Sequence, residues 1–419
     1  MKMKIGICGC GEFSACFVPL FRAHPLVAEV VLADISAERT AKMADDNDIR
    51  RRLSSFNELL ESDVDAIAIF TQRQLHGPMA VAAMRAGKHV YSAVPMGISI
   101  AEIEEIVKTA AETGMLYMMG ETSYYYPGTI FCRNKFQSGE MGKFVYAEAQ
   151  YHHDMLHFYE PYKRSGGVDW RKIAGLPPMY YPTHSTSMIL SCTGAHATEV
   201  SCMGYQDSHE DAIFRTGANN WDNVFSNESA LMRTSDGGVI RLNEMRRIGW
   251  RSPIDSVYMN FYGELRSFER TAMHYCYASR DNSPEDVSDL LRLSPGLPVH
   301  GYAAELGKES FHDFYSGVAK VHDTGRLPDS FRSLANGHSG SHQFLVDDFV
   351  KALLHGSLPP CHAWNSARWN IPGLVAHESA KLDGAKLPIH DFGDVPANYP
   401  FKRSIEDATN WRNGKQDSA

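Results

Sequence analysis

Apolar and polar positions follow two different periods along this chain, and the change from one to the other divides it. Over the first 122 residues, short, mostly apolar runs at 4–8, 27–33, 66–70, 88–92 and 116–119 alternate with stretches of three-to-four-residue apolar spacing at 15–23, 37–46, 54–61, 78–86 and 100–113. A run that is apolar at most positions suits a strand covered on both faces, and strands alternating with helices predict an open, mostly parallel sheet with helices on either side. Ser99 is placed to cap the helix over 100–113, and Gly87 to end the one before it.

Past residue 122 the rhythm changes. A helix is expected over 129–138, after which 143–151 and 198–203 alternate with period two, as strands with one covered face do. The same alternation at 230–234 and 239–245, across Asp236-Gly237-Gly238, and at 256–262 and 265–271, across Gly263-Glu264, predicts antiparallel hairpins. Residues 276–335 carry few periodic apolar positions and are expected to be largely irregular, followed by a helix over 342–354 and one or two more over 363–382. The expected fold is thus a dinucleotide-binding α/β domain of the Rossmann type (1–122) and an α+β domain with an open, mainly antiparallel sheet (123–419). The free face of that sheet is expected to seat another copy in a homodimer or homotetramer.

Charge and composition narrow the partners. A net charge of −9 without a basic run argues against nucleic acid and against an anionic membrane surface, and no apolar run approaches spanning length. The eight cysteines are scattered, without a CxxC pair, which fits free thiols in a reducing, cytoplasmic setting.

Candidate chemistry begins where the first apolar run ends. Gly9-Cys10-Gly11-Glu12-Phe13-Ser14 joins a strand to a helix: Gly9 suits a tight turn, Gly11 lets backbone N–H groups approach a pyrophosphate, and Glu12 and Phe13 open the helix. Asp34 ends the second strand, where a carboxylate accepts from ribose hydroxyls and repels a 2′-phosphate, so NAD is favoured over NADP, with Arg39 keeping NADP open. The loop holding Thr71, Gln72 and His76 and the turn holding Val94 and Pro95 follow later strands and are expected to line the same crevice. For oxidation of a secondary alcohol, His184 is the best candidate base, with Tyr181 or Tyr125 as a phenol in reach. His152, His153 and His157 with Asp154 match no metal-ligand spacing, so no metal is expected and His153 is read as lining the substrate.

The GxGxx turn, the Thr71-to-His76 loop, the Ala86-Gly87-Lys88-His89-Val90 strand and Pro95-Met96 resemble the Gfo/Idh/MocA family of NAD(P)-dependent oxidoreductases. That resemblance implies an NAD-binding domain followed by an open-sheet domain for a sugar-like or polyol substrate. It also exposes departures. Val94 stands where the family has the lysine of Glu-Lys-Pro, and Tyr180 where it has an aspartate four residues before His184. Val94-Pro95, Tyr181-Pro182-Thr183-His184 and Glu121-Thr122-Ser123-Tyr124-Tyr125 are instead similar to glycoside hydrolase family 109, which holds NAD and works by transient oxidation. The carry-over makes Tyr181, His184 and Tyr125 the catalytic set, with Arg171 of the Trp170-Arg171 pair, His153 and Tyr180 toward substrate. The expected function is hydride transfer from a secondary alcohol of a sugar or polyol; an NAD-retaining glycosidase and a silent NAD-binding regulator are the alternatives.

Overall fold

The computed structural model describes residues 2–249, 257–271, 274–279, 284–309 and 317–404. Strands β1 (Met3–Cys8), β2 (Val27–Ala33), β3 (Arg51–Leu53), β4 (Ala66–Ile69), β5 (His89–Ser92) and β6 (Tyr117–Met119) form a six-stranded sheet in the order β3-β2-β1-β4-β5-β6. All its pairings are parallel. Ile5, Ile7, Val31, Leu32, Ile67 and Ala68 are fully buried, as strands covered by helices on both faces require. The order reverses between β1 and β4, so the crevice beyond their C-terminal ends is where a ligand fits in such a sheet.

The second sheet has nine strands: β7 (Phe144–His152), β8 (Ala197–Gln206), β9 (Phe225–Thr234), β10 (Val239–Met245), β11 (Val257–Gly263), β12 (Arg266–Arg270), β13 (Tyr275–Ser279), β14 (Glu285–Asp286) and, after the isolated pair of β15 (Ser357–Leu358) with β17 (Arg403–Ser404), β16 (Leu387–Pro388). Its order is β14-β13-β12-β11-β7-β10-β9-β8-β16. The hairpins β9–β10 and β11–β12 are antiparallel, whereas β7 and β10 lie side by side in parallel. One face is covered by helices and buries Ala147, Ala149, Met232, Leu242 and Phe261; the other leaves Val145, Met203, Tyr205 and Leu231 exposed.

Two local expectations need correction, and one left open is resolved. The helix expected over 15–23 is two pieces, Glu12–Ala15 and Val18–Ala23, because Pro19 has no N–H to continue a helix and stands instead in the first turn of the second piece. Edge strand β3 escaped notice because it is three residues long and two of them are arginine. The segment 363–382 is one helix, Ala363–Lys381, despite Pro372. Gly373 in that helix lets the chain before His184 come against it, since a Cβ there would meet the Met179 carbonyl at 2.1 Å. The start of the expected strand at Ser256, and parts of the irregular stretch 276–335, lie outside the described residues.

Candidate active site

At the end of β1 the chain turns through Gly9 at φ +98°, where a Cβ would lie 2.5 Å from the Phe70 carbonyl at the end of β4. That contact presses the two central strand ends together, and only glycine permits it. Gly11 follows with nothing within 4 Å of its missing Cβ, so the backbone ahead of the helix Glu12–Ala15 faces open space. A constricted first glycine and an open second one are what a backbone cradle for a pyrophosphate requires, and these residues fit a dinucleotide. Asp34 stands beside it, its carboxylate accepting from the backbone N–H of Cys10 (2.8 Å) and of Ser36 (2.7 Å) and from Arg39 Nη2 (3.0 Å). Each carboxylate oxygen has two acceptor directions, so Oδ2, with one partner, keeps one for a ribose hydroxyl. Phe13 packs its ring on Phe17 at 5.0 Å and Phe70 at 5.9 Å.

The far wall comes from the helix Tyr159–Gly166. Arg164 pairs with Glu12 at 2.8 Å, Gln72 Nε2 donates to the Ser165 carbonyl at 2.9 Å, and Arg73 donates to the Tyr162 hydroxyl. Glu12 and Gln72 thus bind this helix across the crevice. Thr71 donates its hydroxyl to Met79 Sδ at 3.3 Å. His76, expected at the cofactor, has Nδ1 2.9 Å from the Pro95 carbonyl and Nε2 3.1 Å from that of Thr71. Burial holds its imidazole below the ordinary range, so the neutral ring donates to one carbonyl at a time and acts as a strut between the two loops. Val94 and Pro95 are buried in the second of those loops, which Asn370 fixes by accepting from the Met96 N–H at 2.8 Å.

His184 opens the helix Thr183–Thr193, buried at the rim of the crevice, with Nδ1 2.7 Å from Glu121 Oε1 and 3.3 Å from Ser123 Oγ. Glu121 follows β6 and is fully buried. Burial pushes its carboxyl up, but the attraction of His184 and the hydrogen bonds the carboxylate accepts outweigh that and hold it below the ordinary carboxylate range. A carboxylate at Nδ1 takes the N–H there and leaves Nε2 as the acceptor. The Tyr181 ring lies 5.2 Å from the imidazole and that of Tyr151 5.1 Å, each edge-on. His153 is buried on the other side of Tyr151, at 5.2 Å, stacked on Phe158 at 4.3 Å. Burial pushes the Tyr181 hydroxyl up to about 12, against the pull of Arg73 and Arg246.

The remaining expected residues sit elsewhere. The Tyr125 hydroxyl donates to Asp348 and accepts from Arg326 (3.0 Å), and burial holds it protonated, so the structure does not bring it to His184. Tyr180 packs on His377 at 5.1 Å, on a buried His377–Glu228 pair, because its neighbour Tyr181 takes the crevice side of the turn. Arg171 is exposed, 4.7 Å above the Trp170 ring with Nε donating to the Asp211 carbonyl, which is the position of a surface arginine. The strand ends before them put Glu121 and Arg73 at the crevice in sequence, without a role for either; Tyr151 and Arg246 are brought in by β7 and by the end of β10, with no local pattern to mark them.

Residues 3–121 match the family described as oxidoreductase family, NAD-binding Rossmann fold (Gfo/Idh/MocA). That match covers the domain of the first sheet. A glycosyl hydrolase family 109 protein of Saccharopolyspora erythraea is 25% identical over 93% of this chain and 83% of its own length. Trans-1,2-dihydrobenzene-1,2-diol dehydrogenase of Bos taurus is 27% identical over 51% of this chain and 62% of its own. Among solved structures, levoglucosan dehydrogenase with NADH and levoglucosan superposes with a TM-score of 0.69 at 16% identity, covering 94% of this chain and all of that one, which shows the shared fold. Both sheets of this chain therefore have counterparts in a known fold. Among the described residues no helix is long and apolar enough to cross a membrane.

Proposed function

We propose that this NAD(P)-dependent oxidoreductase takes hydride from a secondary alcohol of a sugar or polyol, with His184 as the base. The observation that carries the reading is the buried Glu121–His184 pair at 2.7 Å, set at the crevice beside the glycine turn with Nε2 left to accept a proton. NAD, when bound, supplies the hydride acceptor. The chain's own part is to orient the alcohol, to take its hydroxyl proton on Nε2 as the C–H bond gives up its hydride, and to balance the resulting imidazolium with Glu121. Tyr181, edge-on to the imidazole, bounds the alcohol's position.

Val94 favours a second reading. It is buried, 4% exposed, and brings no charge to the oxygen that becomes negative, so a product ketone gains no cationic anchor there. That, with the breadth of similarity to family 109 relatives, supports a glycosidase in which the oxidised sugar stays bound, loses its substituent, adds water and is reduced again. One screen decides between them: free sugars, polyols and nitrophenyl glycosides, with NADH absorbance and nitrophenolate release followed together. NADH from a free sugar supports the dehydrogenase; nitrophenolate without accumulating NADH supports the glycosidase; neither signal leaves a silent NAD-binding regulator. The open face carrying Val145, Met203, Tyr205 and Leu231 is where we place a second copy in a homodimer or homotetramer.

The cofactor we assign is NAD. Asp34 presents negative charge where a 2′-phosphate would fall, and it engages Arg39, a nearby cation suited to that phosphate. Asp34→Ala is expected to shift the ratio of NADPH to NADH dissociation constants by about tenfold toward NADPH, the effect of one charge-assisted contact. Taking the ratio cancels any damage to the turn common to both cofactors. Calorimetric titration giving an unchanged ratio removes the assignment.

A further inference from the structure

Arg73 begins the short turn Arg73–Leu75 after β4, at the switch-point end of the parallel sheet. Its surroundings are aromatic: its guanidinium lies 4.4 Å from the Tyr181 ring centroid, 5.2 Å from that of Phe158 and 5.5 Å from that of Tyr162. The hydrogen bond it donates goes to the neutral Tyr162 hydroxyl. Three other enclosed arginines meet carboxylates: Arg326 meets Asp348 at 2.6 Å, Arg368 meets Asp391 at 2.7 Å, and Arg247 meets Asp211. Among the described residues Arg73 has no such ion pair. Burial pulls its guanidinium down, the surrounding tyrosines push it up further, and it remains charged.

A second guanidinium converges on the same ring. Arg246, 4% exposed, lies 4.8 Å from the Tyr151 centroid and 5.9 Å from that of Tyr181. Its acid is Glu244 at 3.4 Å, a long contact, and burial pushes that carboxyl up to about 8. Two cations thus flank Tyr181, whose ring is 5.2 Å from His184, and the nearby carboxylate of Glu121 is engaged with His184 Nδ1 at 2.7 Å rather than with either guanidinium. An uncompensated enclosed charge is costly unless a partner arrives, and a guanidinium fork matches a carboxylate with two parallel N–H···O bonds.

We infer that the substrate of this oxidoreductase is an anion, a sugar acid or polyol acid whose carboxylate is received by Arg73 with Arg246 beside it while the alcohol lies at His184. This rests on the hydride-transfer reading and names its substrate class. The cofactor's pyrophosphate is the other anion that Arg73 could meet. Its place against Tyr181, at the reacting end of the crevice, favours the substrate.

The test is calorimetry on the full chain saturated with NADH, comparing D-glucuronate with D-glucose, D-galacturonate with D-galactose, and D-gluconate with sorbitol. At least one acid is expected to bind about tenfold or more tighter than its neutral match, the scale of one bidentate charged contact. Arg73→Gln is expected to abolish the preference and Arg73→Lys to keep part of it, with NADH affinity within about twofold of wild type in both. Equal binding of acid and neutral partners, or no binding of any acid at 10 mM, overturns the inference. So does a tenfold loss of NADH affinity in Arg73→Gln with the acid preference intact, which would put the guanidinium on the pyrophosphate. Failure of the hydride-transfer reading shows separately, as a wild-type protein that binds these acids yet forms no NADH from any of them with NAD.

Discussion

Glu121→Gln is expected to lower kcat/KM for the alcohol that scores in the NADH screen by about a hundredfold or more, while His184→Ala removes the whole contribution of the base, about 10²- to 10⁴-fold. Glutamine keeps an oxygen at Nδ1 but loses the charge, so the imidazole is still held while the imidazolium formed in the reaction is no longer balanced. The loss should therefore fall on kcat with KM little changed, and NADH affinity by fluorescence titration should stay within about twofold, since neither residue touches the glycine turn. A KM rise with kcat intact would make the pair a substrate contact and remove the proton-transfer role. The pair should persist across the neutral range. Glu121 has a folded pKa below its ordinary value of about 4.3, so the stability it contributes is present above that value and is lost as pH falls through the folded one. Urea midpoints of wild type and Glu121→Gln should accordingly draw together only in acid.

The first sheet was legible because its information is local. Short, mostly apolar runs, a serine cap at Ser99 and the spacing from Gly9 to Asp34 each act over a few residues, and the strands and helices formed where those patterns lie. What escaped was set by pairing at a distance. Nothing within 143–151 or 239–245 says that β7 and β10 run side by side in parallel, yet that pairing brings Arg246 and Tyr151 to the same site. The same limit applies to the two candidate tyrosines. Tyr125 and Tyr181 looked equivalent in sequence as phenols near the crevice, but the turn after β6 aims Tyr125 at Arg326 and Asp348, residues about two hundred positions away. Its neighbour Ser123 instead faces His184. The position of His184 at a helix start was readable from the proline turn before it, whereas the surroundings of His76 were not, being backbone carbonyls that any sequence supplies.

The cluster that captures Tyr125 carries the largest stability effect expected in this chain. Arg326 Nη1 donates to Asp347 Oδ2 at 3.0 Å and to Asp348 Oδ1 at 2.6 Å, both carboxylates fully buried, and Nη2 donates to the Tyr125 hydroxyl at 3.0 Å. Lys351 Nζ reaches Asp347 at 2.7 Å, and His24 Nε2 lies 3.3 Å from its other oxygen. The network joins the helix Val18–Ala23, the turn after β6 and the helix His342–His355, so it holds the strand end that presents Glu121. Arg326→Leu leaves Asp348 with a phenol and no cation, and removing one partner of a buried ion pair costs about 3–5 kcal/mol because the other charge stays behind. Urea denaturation at pH 7.5 should show that deficit. Burial already holds Asp348 above its ordinary value, and without Arg326 it goes higher. A carboxyl raised on folding costs stability above its folded pKa, and the cost fades as pH falls toward the unfolded value, so the deficit of Arg326→Leu should shrink between pH 7.5 and pH 5.5. Asp347 does not share this trend: burial raises it, but His24, Arg326 and Lys351 together bring it below the ordinary range, and two of those remain in the variant. A midpoint within about 0.5 kcal/mol of wild type at pH 7.5, the scatter of a surface substitution, would show that Arg326 is not what neutralises the pair.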